Sequence, residues 1–204
     1  MRVIAGLVKG RPLKAVPGRN TRPTADRVKE SVFGIIGGRI LVDAVLDLFA
    51  GTGNLGIEAL SRGAGRAVFV EKDRRALETL SQNLASTGFA AAQGQASVAA
   101  LDVLRFLTDG RRRRVEWTGP FGLVFADPPY GLGLAERTLS ALRGFPGLAP
   151  GALVVVEHAA HDILAEAYGA LDVVRREKYG ETVVSFYRML EVEPVEDSGL
   201  SGEL

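Results

Sequence analysis

The chain has no cysteine, which excludes disulfides, cysteine nucleophiles and cysteine-based metal sites. It has only two histidines, His158 and His161. They stand beside Glu157 but lack a third well-placed ligand, so we expect no metal site. Long apolar runs are also missing: the longest, such as residues 153–156, suit a strand and are far too short to span a bilayer. The opening residues 1–6 show neither an apolar signal region nor a cleavage site, so we expect a cytoplasmic protein.

What the chain does have is an uneven distribution of charge. The net charge is +1 over 204 residues, yet residues 1–30 hold eight basic and two acidic side chains. A second basic run covers Arg111 to Arg114, and the tail from Glu191 holds five acidic side chains and no basic ones. This basic N-terminal region favours a polyanionic partner, because Lys and Arg that neutralise phosphates release counterions. The alternative reading is an ordinary solvated terminus.

Strand-like and helix-like segments alternate through the rest of the chain. Strands are predicted at 45–49, 66–70, 89–94, 121–126 and 152–157, and helices at 24–36, 55–61, 74–86, 98–107, 134–142 and 163–168. A closing hairpin joins 171–178 to 182–190, and a hairpin is also expected around Lys9-Gly10. This alternation predicts an α/β fold with a mostly parallel, doubly wound sheet of seven strands and an antiparallel C-terminal hairpin. We therefore expect a basic hairpin-and-helix extension (1–38), a main domain (39–192) and a disordered acidic tail (193–204).

A glycine-rich segment follows the first predicted strand. It reads Gly51-x-Gly53-x-x-Gly56 and opens a predicted helix, and Glu71 follows Gly51 by 20 residues, at the end of the second strand. A lone pattern of this kind is weak, but the flanking strand, helix and acid together are typical of a nucleotide-binding loop. Asp47, near the end of the first strand, suits a cationic ligand and would repel a pyrophosphate. The segment therefore favours S-adenosylmethionine (AdoMet) over a dinucleotide.

A second motif, Asp127-Pro128-Pro129-Tyr130, directly follows the fourth strand of this series. The two prolines end the strand and remove N–H donors, which leaves carbonyls to face a cleft. An exocyclic base amine is a weak nucleophile, because its lone pair is delocalised into the ring. The carboxylate of Asp127 and the carbonyl of Pro128 would accept its N–H groups and aim the lone pair at a methyl donor. Tyr130 would stack on the base, a contact worth about 1–3 kcal/mol.

These residues resemble the amino-methyltransferases that carry the (D/N/S)-P-P-(Y/F) motif, and more closely the RsmD-like bacterial 16S rRNA guanine-N2 methyltransferases. Further segments at 1–13, 22–33, 47–63 and 179–187 carry the resemblance, which covers about residues 1–190. It implies a Rossmann-like class I fold, AdoMet as methyl donor, and guanine N2 in a partly assembled small subunit as target. We expect the protein to act as a monomer, without a metal or a membrane.

The resemblance also implies functional residues. The expected catalytic residues are Asp127, Pro128 and Tyr130; the expected cofactor-binding residues are Asp47, Phe49, Gly51, Gly53, Glu71, Gln95 and Ala96; the expected RNA-binding residues are Arg11, Arg22, Thr24 and Arg27. The pair Gln95-Ala96 departs from the family, which often has Asp or Asn before Ala there, facing the adenine. The run at Arg111 to Arg114 looks like an insertion.

Two alternatives remain open from the sequence. The Asp-Pro-Pro-Tyr motif also occurs in enzymes that methylate adenine N6 in DNA or RNA, although 204 residues leave no room for a large target-recognition domain. A protein of another class, such as a nucleotide-binding oxidoreductase or a non-enzymatic RNA-binding module, would give Asp127 no role. Arg27 also has an ordinary structural alternative, an ion pair with Glu30 one turn along the helix.

Overall fold

A single mixed sheet forms the centre of the protein. The computed structural model describes residues 1–16, 23–89, 94–109 and 119–190. Within them the strands are β1 (Ala44–Leu48), β2 (Arg66–Glu71), β3 (Ala96–Ala100), β4 (Phe121–Ala126), β5 (Leu148–Ala159), β6 (Ala167–Tyr168), β7 (Leu171–Tyr179) and β8 (Thr182–Met189). Their order across the sheet is β3-β2-β1-β4-β5-β8-β7-β6.

The first five strands run parallel, and the last three add antiparallel strands beyond β5. The chain moves outward from β1 through β2 to β3, then returns to the other side of β1 with β4. The reversal between β1 and β4 is a topological switch point, where the carboxyl ends of parallel strands open a crevice. All five residues of β1 are buried, as expected for a central strand covered on both faces.

Helices cover both faces of the sheet. They are α1 (Pro23–Ile36), α2 (Asn54–Ser61), α3 (Arg74–Thr87), α4 (Val103–Thr108) and α5 (Leu134–Leu142). Side chains of α1, α2 and α3 share one apolar cluster, which includes Val32, Phe33, Ile57, Leu60 and Leu80. Side chains of α4 and α5 share the other, which includes Phe106, Leu107, Leu139 and Leu142. The arrangement is therefore the Rossmann-like, doubly wound fold that the sequence predicts.

The ends of α3 show why this segment is helical. Asp73 caps its first turn by accepting a hydrogen bond from the N–H of Ala76 (2.9 Å). Gly88 ends the helix in a left-handed conformation with φ of 80°. Between these ends, Ala76, Leu80 and Asn83 fall on one buried face at helical spacing. This face brings Asn83 under the N-terminal segment.

The N-terminal extension packs into the main domain. Val3 and Leu13 lie in the same apolar cluster as α2 and α3. The hairpin expected around Lys9-Gly10 is present as a short antiparallel pairing, with one bridge between Arg2 and Pro12 and backbone hydrogen bonds between Val3 and Arg11 (3.0 Å) and between Leu13 and Met1 (3.1 Å). The intervening turn also bonds α2, for example from the N–H of Leu7 to the carbonyl of Ser61 (2.7 Å). The boundary predicted at residue 38 thus marks no break in the core.

Three sequence predictions about secondary structure are wrong. Residues 90–93 of the strand expected at 89–94 lie outside the described residues; the third strand of the described sheet is β3, whose last three residues take the place of the start of the helix expected at 98–107. The helix expected at 163–168 is absent from this described region, and the two-residue strand β6 lies there. The sheet consequently has eight strands in the described chain, one more than predicted. The tail 193–204 and the basic run at Arg111 to Arg114 lie outside the described residues.

Candidate active site

A sharp loop leaves the carboxyl end of β1 and enters α2. Phe49, Gly51 and Gly53 all adopt left-handed backbone conformations, with φ of 58°, 55° and 80°. Phe49 is the one non-glycine residue with positive φ in the described chain, and this costs roughly 1–2 kcal/mol for an L-residue. A Cβ at Gly53 would lie 2.4 Å from Cδ1 of Leu80, so a larger residue there would have to displace the buried Leu80 side chain. The loop is therefore held in a shape that exposes backbone at the crevice.

Asp47 lies beneath this loop. Its side chain is buried, with 2% of the residue exposed, and its Oδ2 accepts a hydrogen bond from the N–H of Gly56 (2.9 Å). Burial raises the pKa of Asp47 to about 8; the Gly56 hydrogen bond opposes this rise and the charge of Glu71 adds to it. The carboxyl is then mostly protonated at neutral pH. Asp47 braces the first turn of α2, and the prediction that it offers a negative charge to the ligand is not supported by this placement.

Glu71 ends β2 beside the same loop. Its Oε2 accepts from the N–H of Gly51 (2.9 Å), and its Oε1 accepts from the N–H groups of Lys72 (2.7 Å) and Asp73 (2.8 Å). A carboxylate offers about four acceptor positions, so these bonds leave room for one further donor without rearrangement. The structure thus brings Glu71 and the glycine loop together, in the relation that a ribose-binding carboxylate requires.

Gln95 and Ala96 do not join this site. Ala96 pairs with Ala67 near the amino end of β2, whereas Glu71 pairs with Ala100 at the carboxyl end. The two ends of β3 are about 13 Å apart at strand spacing. The prediction that Gln95 and Ala96 face the adenine fails because it placed the third strand several residues too early.

Asp102 follows the carboxyl end of β3, at the same edge of the sheet as Glu71. Its Oδ1 caps α4 by accepting from the N–H of Leu104 (3.1 Å), and its Oδ2 accepts from Nζ of Lys72 (2.9 Å). Burial alone would raise its pKa, but the hydrogen bonds from Lys72 and the helix amides lower it. The sequence prediction placed Asp102 inside the helix 98–107, so it did not identify Asp102 as a helix cap at a strand end.

The Asp-Pro-Pro-Tyr motif begins at the carboxyl end of β4, between two other strand ends. Ala126, the last residue of β4, pairs with Leu48 of β1 on one side and with Val156 of β5 on the other. Asp127 is exposed and Pro128 is buried. Asp127 therefore lies at the switch point, at the same edge of the sheet as the glycine loop and Glu157.

Tyr130 is anchored through its hydroxyl. The hydroxyl donates to Oε1 of Glu157 (2.7 Å) and contacts Oγ1 of Thr182 (3.0 Å), at the start of β8. Burial raises the pKa of Tyr130, and the nearby charges of Glu157 and Asp127 raise it further, while the Thr182 bond opposes them. The phenol stays protonated at neutral pH and fixes the ring. Sequence reasoning missed Thr182 and considered Glu157 only as a faint metal ligand.

The predicted RNA-binding residues are only partly described. Arg11 and Arg27 are exposed, on the N-terminal turn and on α1 respectively. Arg22 lies outside the described residues, and Thr24 lies within α1, which begins one residue earlier than the predicted cap, at Pro23. Lys29 is one of the eight basic residues counted in residues 1–30, but it is buried in an ion pair with Glu58 (3.3 Å).

The histidines take structural positions. His158 is buried, and its Nε2 shares a hydrogen bond with Oγ of Ser185 (2.8 Å); burial lowers its pKa. His161 is exposed on the surface. Within the described ranges no group of three His, Cys, Asp or Glu side chains could hold a metal ion. No helix in this part of the chain is long and apolar enough to cross a membrane.

The geometry matches a known family. A family model described as "Conserved hypothetical protein 95" matches residues 1–188. The chain belongs to this family. The RsmD resemblance is confirmed by Ribosomal RNA small subunit methyltransferase D of Escherichia coli K12, which is 34% identical over 189 residues, 92% of this chain and 89% of that protein. The protein of the same name from Haemophilus influenzae is 39% identical over 157 residues, 77% and 78% of the two chains.

Solved structures agree with this assignment. The protein yhhF from Escherichia coli superposes with a TM-score of 0.76 at 35% identity, covering 94% of this chain and 99% of that one. An RNA methyltransferase from Salinibacter ruber, in complex with S-adenosyl-L-homocysteine, superposes with a TM-score of 0.59 at 17% identity, covering 87% and 98%. The second similarity establishes the fold alone.

Proposed function

We infer that this chain methylates ribosomal RNA with AdoMet as donor, and we propose the exocyclic N2 of a guanine in 16S rRNA as the acceptor. One observation carries the inference. The glycine loop after β1, Glu71 after β2 and Asp127 after β4 meet at the carboxyl edge of three adjacent strands. The glycine loop and the Asp-Pro-Pro-Tyr motif thus lie at neighbouring strand ends at the switch point of the fold, as a cofactor site beside an amine site would require.

The loop fits AdoMet better than a dinucleotide. Its residues Phe49 to Asn54 contain no Lys or Arg to neutralise a pyrophosphate. Carboxylates of Glu71 and Asp102 stand at neighbouring strand ends, where they favour a ligand with net positive charge. Glu71 would accept from one ribose hydroxyl, and the backbone at Gly51 would approach the ligand closely, with no Cβ in the way. When bound, AdoMet supplies an electrophilic methyl group on a sulfonium.

The residues of the second motif would position the acceptor amine. Asp127 is exposed at the crevice and would accept one N–H, and the carbonyl of Pro128 would accept the other. These two bonds favour an sp³-like nitrogen whose lone pair is directed away from both acceptors. Tyr130, with its hydroxyl tied to Glu157 and Thr182, offers a ring of fixed position for stacking. The catalytic contribution is then mainly alignment of the reacting atoms.

The charges around Tyr130 favour guanine over adenine. Both Asp127 and Glu157 raise the pKa of Tyr130, so two carboxylates lie close to the same phenol. Both bases carry an exocyclic amine, but beside it guanine presents the N1–H donor, whereas adenine presents an acceptor at N1. A carboxylate-rich edge therefore suits guanine, and it would repel the N1 lone pair of adenine.

The partner we propose is a partly assembled small ribosomal subunit. Arg11 and Arg27 present exposed positive charge on the N-terminal segment and on α1. Such charges bind phosphates regardless of sequence and orient the protein on RNA. Action as a monomer in the cytoplasm remains a prediction from the sequence.

The test is methyl transfer from labelled AdoMet to naked 16S rRNA and to partly assembled 30S particles from cells lacking the gene. We expect N2-methylguanosine at one site, and at least about 100-fold less product with Asp127→Ala, because the amine loses its acceptor. The matched control is Glu78→Ala, an exposed acid on α3 whose ion pair with Arg74 is worth little. N6-methyladenosine would keep the chemistry and overturn the target. Stabilisation by NAD but not by AdoMet would overturn the methyltransferase itself.

A further inference from the structure

Three buried polar side chains have no part in the proposed methyl transfer. They are Lys29 on α1, Glu58 on α2 and Asn83 on α3, with 2%, 0% and 0% of each residue exposed. Such groups remain buried only when they are paired, so their partners show what they hold together. Each of them bonds the N-terminal segment 1–16, which we call the arm.

Asn83 bonds the arm and the cofactor loop at once. Its Oδ1 accepts from the N–H of Lys14 (2.8 Å), and its Nδ2 donates to the carbonyl of Lys14 (3.1 Å). The same Nδ2 donates to the carbonyl of Thr52 (2.9 Å), which lies between the two loop glycines. One side-chain amide thus fixes the end of the arm relative to the middle of the loop.

Lys29 makes an equivalent connection on the other side of the loop. Its Nζ donates to the carbonyl of Arg2 (2.7 Å) in the arm and to Oδ1 of Asn54 (2.7 Å), the first residue of α2. It also pairs with Glu58 (3.3 Å). Two buried side chains, Asn83 and Lys29, therefore connect the two ends of the arm to the cofactor loop.

Glu58 completes the attachment of the arm. Its two carboxylate oxygens accept from the N–H groups of Ile4 (2.8 Å) and Ala5 (3.0 Å). The hydrogen bonds that Lys29, Glu58 and Asn83 form with the arm all go to its backbone groups. The charged ends of exposed arm side chains such as Arg11 are thus left for another partner.

We propose that Asn83 and Lys29 are positioning residues that couple RNA binding by the arm to the shape of the AdoMet loop, so that each substrate raises the affinity for the other. This coupling rests on the proposed function. A phosphate backbone held by the arm restrains residues 2 to 14, and through the carbonyls of Thr52 and Arg2 and the amide of Asn54 it restrains the loop. Linkage requires the same factor in both directions, and couplings of this kind are typically about 5- to 150-fold.

The experiment measures the affinity for labelled S-adenosylhomocysteine by equilibrium dialysis, with and without partly assembled 30S particles from cells lacking the gene. Particles alone give the background. The ratio of the two dissociation constants is the coupling factor. Wild type is compared with Asn83→Ala and with Asn83→Asp, which keeps the acceptor for Lys14 and loses both donated bonds. The matched control is Gln82→Ala, since Gln82 bonds Nζ of Lys14 (2.9 Å) without reaching the loop.

We expect wild type and Gln82→Ala to bind S-adenosylhomocysteine about tenfold more tightly when particles are present. In the Asn83 variants this factor should fall to near one, while the affinity for the particles in the absence of S-adenosylhomocysteine changes less than threefold. A purely structural role for Asn83 would lower stability but leave the factor unchanged, and that outcome overturns the coupling. So does a factor of one in the wild type with both ligands bound. Failure to bind either ligand would instead refute the proposed function, and the coupling with it.

Discussion

The turn of the arm at Gly6 offers a sharp test of how the arm is held. Gly6 has φ of +85°, and a Cβ built on it would lie 1.8 Å from the carbonyl oxygen of Ser61 and 2.3 Å from its carbonyl carbon. Both atoms belong to the backbone of α2 and have no rotamer to change. The substitution Gly6→Ala must therefore lift the turn away from α2.

The magnitude follows from the contacts that the turn would lose. Ser61 accepts from the N–H of Leu7 (2.7 Å), donates its hydroxyl to the carbonyl of Ala5 (2.6 Å) and accepts from the N–H of Val8 (3.2 Å). Each such bond contributes about 1 kcal/mol net. The left-handed backbone adds about 1 kcal/mol for alanine. We expect Gly6→Ala to lower the free energy of unfolding by about 4 kcal/mol.

Gly10 provides the matched control. It has φ of +81°, and a Cβ there would meet nothing within 4 Å. Gly10→Ala thus carries the backbone cost without the collision, about 1 kcal/mol. Urea unfolding of the two variants beside wild type measures both numbers. Equal destabilisation by the two substitutions would refute the steric account of the docked turn.

Three further outcomes are expected at the site. Tyr130→Phe removes the bonds to Glu157 and Thr182 but keeps the ring, so it should lower kcat less than about tenfold. Tyr130→Ala also loses the stacking ring, so its kcat should be at least about tenfold lower than that of Tyr130→Phe. Equal rates for the two variants would argue against a stacking role. Glu71→Gln should weaken AdoMet binding by about tenfold or more in titration calorimetry, because a charge-assisted acceptor is lost; unchanged affinity would remove Glu71 from the cofactor site. The pKa of Asp47 is raised to about 8 in the fold, so the folded state keeps a proton that the unfolded chain releases near pH 4, and stability falls as pH rises between them. Asp47→Asn should therefore gain stability relative to wild type over this range, by up to about 1.4 kcal/mol per pH unit in urea unfolding; parallel pH profiles would contradict the raised pKa.

The sequence was sufficient for the parts of the site that depend on local chemistry. Glycines at 51 and 53 occupy left-handed positions, and Glu71 stands at the end of the second strand beside the glycine loop, as its spacing predicted. Asp127 follows a buried strand, as its apolar flank indicated. In each case a short stretch of chain carries both the backbone requirement and the functional group, so no distant contact was needed to interpret it.

Elements that depend on distant partners were predicted poorly. Residues 98–100 were predicted as the start of a helix, but pairing with β2 makes them the end of a strand. This shift moved Gln95 and Ala96 to the wrong end of the sheet. In the sequence Lys29 is one more charge of the basic N-terminal region. Only its contacts with Arg2, Asn54 and Glu58 show that it is buried and connects three segments of the chain. Burial of a charge cannot be deduced from a local pattern when its partners lie 25 or more residues away.

The attachment of the arm also sets an order of events during synthesis. Ala5 bonds a carboxylate 53 residues further along the chain, and Lys14 bonds an amide 69 residues further along. At about 5–20 residues per second, roughly 3 to 14 seconds separate translation of Lys14 from translation of its partner. The segment around Ile4 to Val8 can bond only after α2 has been made, and Lys14 can bond only after α3 has been made. The arm is therefore made before the helices that receive it and takes its final position only after them.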